Sequence, residues 1–198
     1  YYIPLRDDSE GIELKYALKE LKPALEDEAV KKIGQNIKYD KLVLSNSGIE
    51  LRGIDFDTMI ASYLLNPSKM NHNLDDLAFE HLNHKKIPIE ELLGTGKKRI
   101  TMDMVPVDKI SRYSCEDSDV TLRLRHLFEK ELFKKELDKL FRDIELPLID
   151  VLAQIEKNGV KIDTQLLKEI SVYMDKELEG LIANIYKIAG MEFNINSP

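Results

Sequence analysis

Two aspartates fall at positions where the hydrophobic pattern asks for apolar side chains. Along a helix expected over residues 107–132, the apolar stripe runs Ile110, Tyr113, position 117, Val120, Leu124 and Leu127 at spacings of three and four, and position 117 is Asp117. In a shorter helix starting at Ile37, position 40 shares a face with Ile37, Lys41 and Leu44, and it is Asp40. An ionised carboxylate on a core-facing stripe is costly unless a cation or several hydrogen-bond donors meet it. Each aspartate therefore needs a partner. One answer is structural, in which an Arg, a Lys or the free amides of a helix start satisfy the carboxylate. The other is chemical. Separated aspartates without His or Cys suit hard divalent ions, Mg2+ or Mn2+, which prefer carboxylate oxygens and keep waters that a phosphate can displace. Two such ions can cleave a phosphodiester, one activating water and the other stabilising the leaving oxygen. Tyr113, one turn before Asp117 on the same face, is placed to orient the attacking water through its hydroxyl. Glu116 and Asp119 fall off the stripe and read as solvated, with Asp119 pairing Arg123 at i+4.

The elements that must position these groups alternate at first between strand and helix. YYIPL at residues 1–5 reads as a strand, followed by a turn at Asp7, Asp8, Ser9 and Gly11 and a helix carrying Leu14, Ala17, Leu18, Leu21 and Leu25, disturbed at Pro23. VKKIG (30–34) is a second strand, leading through Gln35 and Asn36 into the helix of Asp40, which stops at Ser45–Gly48. IELRGIDF (49–56) gives a third, weaker strand before a helix over DTMIASYLL (57–65) that ends at Asn66-Pro67. Helices are then expected at 72–84, 107–132 and 134–142, and over PLIDVLAQIEKNG, with Pro147 in its first turn and Gly159 as its stop. After the short link VKID, Asp163 caps a long helix over 164–189 whose apolar residues are expected to pack within their own domain. Three strands are too few for a self-sufficient α/β sheet, so the chain reads as a piece of something longer, with strands missing upstream.

The 198 residues, 43% of them hydrophobic, are enough to bury a real core. Nothing approaches the roughly 20 apolar residues of a membrane span, and no signal sequence opens the chain, so no membrane partner and a cytoplasmic setting are expected. The single cysteine, Cys115, excludes an internal disulfide and a thiolate zinc cluster. A net charge of -7 disfavours a protein that wraps nucleic acid by neutralising phosphates, yet permits DNA handled through metals or a local basic strip. GTGKKR (94–99) lacks the spacing of a phosphate loop and is at most a basic loop near DNA, and His81 with His84 reads as a surface pair.

GQNIKYDKLVL (34–44) and RYSCEDSDVTL (112–122), the latter of Tyr-x-x-x-Asp form, resemble the second and third motifs of the 3′-5′ proofreading exonuclease in the bacterial DNA polymerase I family, the family A polymerases. GIELRGIDFDTMIASYLLNP before the third motif, and NGVKID through FNINSP after it, are similar to that family's stretches in the same order, so the resemblance covers essentially the whole chain. It implies an α/β, ribonuclease H-like exonuclease fold lacking its first strands over residues 1–142, followed over 143–198 by the helical start of the polymerase thumb. By that resemblance Asp40 and Asp117 hold metal in a two-metal Mg2+ or Mn2+ site, and Tyr113 orients water. Gln35 and Asn36 border the frayed 3′ end of a DNA primer, and His72 borders the same site more loosely. Deoxynucleotides are then substrates of a longer parent, expected to be monomeric. The family's first motif, an Asp-x-Glu pair, is absent from this chain, so near-inactivity in isolation is expected. Two rivals keep the same residues: an inert exonuclease-like scaffold within the polymerase, and a free-standing 3′-5′ exonuclease.

Overall fold

Gly34 and Asp57 show how the sequence packs a strand against a helix. In the computed structural model, which describes residues 1–5 and 11–195, strand β1 (Lys32–Gly34) runs into helix α2 (Ile37–Asn46) through Gln35 and Asn36. A Cβ on Gly34 would stand 2.8 Å from that of Ile37, so only glycine lets the helix start this close to the strand. Strand β2 (Ile54–Asp57) pairs with β1 in parallel, Gly34 opposite Asp57, and runs without a break into helix α3 (Thr58–Leu65).

Asp57 is 1% exposed and serves both helix starts. Its Oδ1 accepts from the amides of Met59 (2.8 Å) and Ile60 (3.2 Å) in α3 and of Asn36 (3.2 Å), while Oδ2 accepts from Ile37 (2.7 Å) in α2. Burial pushes this carboxyl up, and the four amides pull against it. Free amides at a helix start favour an anion, which explains why a buried acid is tolerated here.

Around this centre lie α1 (Leu14–Glu26), α4 (Leu74–Leu82), the short α5 (Ile89–Leu93), the long α6 (Val107–Lys134), α7 (Asp138–Leu140) and α8 (Leu146–Asn158). The main core joins Phe56 of β2, Leu77 of α4, Val120, Leu124 and Phe128 of α6, and Phe141. Each of these large side chains contributes about 1.5–3 kcal/mol by leaving water. A smaller cluster sets Ile37 and Leu51 against Ile149 of α8. The chain divides into two compact units, Tyr1–Lys157 and Asn158–Pro198.

Several expected elements differ. Among the described residues the anticipated strand at residues 1–5 amounts to one bridge, Leu5 to Ile12; Asp7–Ser9 of the expected turn lie outside the described residues. The third strand is confined to Ile54–Asp57. Nor do the helices expected at 134–142 and from Pro147 stand apart: a widened π turn, Phe141–Glu145, joins α7 to α8. Pro147 has no N–H for the carbonyl of Asp143 and its ring crowds that oxygen, which accounts for the widening. In the second unit, Asp163 caps α9 (Thr164–Ala189) as expected, but none of α9 is buried: Leu166, Ile170 and Leu178 are 51%, 44% and 51% exposed. Among the described residues no helix is long and apolar enough to cross a membrane.

Removing the Asp57 carboxylate strips two helices of their caps, and we predict that Asp57→Ala lowers unfolding free energy by about 2–4 kcal/mol. Asp57→Asn, which retains an acceptor oxygen, should cost less. Urea denaturation measures both; a loss under about 0.5 kcal/mol for the alanine variant would show that the helix starts do not depend on this side chain.

A cleft of aspartates around a buried lysine

The start of α2, the N-terminal half of α6 and the chain around α4 border one cleft of about 750 Å3. Gln35, Asp40, Asp75, Lys86, Tyr113 and Asp117 all line it. Four residues singled out by the sequence are thus brought together: Gln35, Asp40, Tyr113 and Asp117.

Asp40 stands in the first turn of α2 and is exposed, facing the cleft rather than the core. The surrounding atoms push its carboxyl up, as does Asp57, while a backbone hydrogen bond at Asp40 opposes them. Solvent access limits that push. Asp117, with a side chain 33% exposed, replaces a core residue on the α6 stripe, and Val120 and Leu124 beyond it are buried as expected. Its Oδ1 lies 2.6 Å from Lys86 Nζ. The contact is close but less well directed than the hydrogen bond that Lys86 Nζ donates to Asp75 Oδ1 at 2.6 Å.

Lys86 is the residue that the sequence reading missed. Its side chain is 2% exposed. Burial opposes its charge, but the carboxylates of Asp117 and Asp75 outweigh this and raise its pKa, so the ammonium persists. Asp117 shifts upward through burial, with Asp75 and Glu116 adding to it and Lys86 opposing. The two partners thus pull in opposite senses, and the charged lysine is the firmer assignment because two acids embrace it. Tyr113 places its ring 5.4 Å from the same ammonium, and burial followed by Asp117 raises its phenol.

Around the cleft, Gln35 Nε2 donates to the carbonyl of His72 (2.7 Å) and its Oε1 accepts from Thr58. His72 meets Ser62 through Nδ1 at 2.8 Å, and its buried Nε2 has no partner among the described residues. Asn36 holds a left-handed conformation, φ 56°, between β1 and α2. Asp119 pairs Arg123 at 3.6 Å as expected. Glu116 is not simply solvated: it accepts from the amide of Ile87 (2.8 Å) and meets His84 Nε2 at 2.9 Å. Of the two histidines, His81 is exposed, as expected of a surface residue, with its ring edge-on to Phe128, while His84 is half-buried against Glu116.

Carboxylate oxygens without nitrogen or sulfur suit a hard divalent ion, and Asp117 Oδ1 already faces a cation, the Lys86 ammonium, at 2.6 Å. Still, among the described residues no group of three or more His, Cys, Asp or Glu is disposed to hold a metal. Asp40 and Asp117 offer part of a site.

Residues 4–133 match the family described as 3′-5′ exonuclease of the DNA polymerase A type. The chain is 39% identical over 204 residues to a DNA polymerase I of Pseudomonas aeruginosa, covering 100% of this chain and 22% of that protein. It is 40% identical over 196 residues to a DNA polymerase I of Rhizobium leguminosarum, covering 99% and 18%. The chain therefore spans about a fifth of the length of these relatives. In fold it is similar to a solved structure, the POL domain of Pol1 from M. smegmatis in complex with DNA primer-template and dNTP, with a TM-score of 0.74 and 22% identity, covering 96% of this chain and 30% of that one.

A raised Asp40 pKa means that folding favours its neutral form. That contribution is present below the ordinary value of 3.8 and is lost as pH rises through the folded-state pKa, so the ionised carboxylate costs stability at neutral pH. Asp40→Asn is accordingly predicted to raise the melting midpoint at pH 7 by about 1–2 °C and to give no gain near pH 3, below the ordinary value. Equal gains at both pH values would refute this account of Asp40.

Proposed function

The chain belongs to the 3′-5′ exonuclease family of A-type DNA polymerases, and on that premise we propose that it is part of a DNA-directed DNA polymerase of replication and repair and carries part of its proofreading site. The observation supporting this most strongly is the meeting of Asp40, Tyr113 and Asp117 in one cleft. In this reading residues 1–142 are a partial exonuclease domain of ribonuclease H-like fold. Residues 143–198 begin the polymerase domain at the base of the thumb. The parent acts as a cytoplasmic monomer that extends a DNA primer from deoxynucleotides.

Asp40 and Asp117 would hold the metal, and Mg2+ or Mn2+ when bound supplies the polarisation that activates water and steadies the leaving oxygen of the phosphodiester. Tyr113, one turn from Asp117 in the cleft, would orient the attacking water through its hydroxyl. Gln35, Asn36 and His72 border the 3′ end of the primer strand. The Gln35 amide is tied to His72 and Thr58, which keeps the loop between β1 and α2 in one shape at the edge of the cleft. A second reading, the inert scaffold, is favoured by one observation, the ammonium of Lys86 already seated against Asp117.

Trimming of a 5′-labelled single-stranded oligonucleotide in Mg2+ or Mn2+ separates the two. We predict negligible trimming by this chain, clear trimming by the chain lengthened upstream with its native sequence, and a loss of orders of magnitude on Asp117→Ala. A lengthened chain that remains inert would leave the scaffold reading standing.

A further inference from the structure

Lys86 is held in place more thoroughly than a chance ion pair. Glu116, on the same helix as Asp117, binds the amide of Ile87 and the ring of His84, so it grips the chain on both sides of Lys86. The buried ammonium then reaches Asp75, Asp117 and the face of Tyr113 together. Lys86 Nζ lies 2.6 Å from both acids, and its better-directed hydrogen bond goes to Asp75. Asp75 is 56% exposed at the rim, whereas Asp117 Oδ1 is buried.

We propose that Lys86 is a resident counter-ion of Asp117, which a divalent ion must displace, and that Asp75 is the seat to which the ammonium withdraws. This rests on the reading of Asp117 as a metal-holding carboxylate. The reason is electrostatic: an ammonium and a divalent ion cannot both lie against one carboxylate oxygen without strong mutual repulsion. Because the Asp75 hydrogen bond already exists, release of Asp117 does not strand a buried charge. Lys86 thereby lowers the metal affinity of the site and satisfies Asp117 when no metal is bound.

Mn2+ binding to this chain, read by the electron paramagnetic resonance signal of free Mn2+, tests the proposal without recourse to activity. Lys86→Met keeps the length and apolar stem while removing the charge, and it should bind Mn2+ about ten- to a hundredfold tighter than the native chain. Asp117→Asn in that background should abolish the gain. Asp75→Asn, at a more exposed position, should weaken Mn2+ binding in the native chain by strengthening the grip of Lys86 on Asp117; this arm remains if Lys86→Met fails to fold. Equal affinity with and without Lys86, lost on Asp117→Asn, would overturn the proposal while leaving Asp117 a metal ligand. No binding by either chain, or a gain that survives Asp117→Asn, would overturn both. Unchanged or tighter binding in Asp75→Asn likewise counts against the displacement.

Discussion

One buried carboxylate, Asp57, settles where two helices begin. By accepting amides from both sides of the paired strands, it ties the end of β2 to the starts of α2 and α3. Gly34 lets α2 approach closely enough for this to happen. Asp40, three residues into α2, inherits its place from that junction, while Asp117 is brought opposite by α6, whose apolar side chains pack against Phe56 of the same strand. The cleft is thus a consequence of capping and core packing, with its acids placed by elements that are stable for other reasons.

Charge is the second constraint on the cleft. Asp40, Asp75 and Asp117 line one cleft, and among the described residues lining it Lys86 is the one cation, meeting Asp75 and Asp117, an excess of negative charge that folding alone has no reason to favour. Such accumulation is tolerated where a positive ligand is part of the working state, and stability is given up for it.

Much of this was legible in the sequence, for definable reasons. The three-and-four spacing through Ile110, Val120 and Leu124 located the buried face of α6 and exposed Asp117 as an intruder on it, and Asn66-Pro67 and Gly48 marked helix ends close to where they lie. Periodicity states which way a side chain points, but not what meets it. Lys86 lies 31 positions before Asp117 in an irregular stretch between α4 and α5, so no spacing rule linked the two. Asp57 escaped because it looks like an ordinary helix-start residue; only the folded register reveals that α2 uses it too. The apparent strand at residues 1–5 had suitable side chains, but among the described residues it meets a partner at one bridge only.

The most direct test of the cleft as a cation site is anomalous diffraction from crystals of this chain soaked in Mn2+. We expect a manganese peak between Asp40 and Asp117, with Lys86 Nζ withdrawn toward Asp75. Lys86 still seated against Asp117 and no manganese in the cleft at saturating metal would contradict the assignment, and would make the aspartate pair a structural feature of the fold.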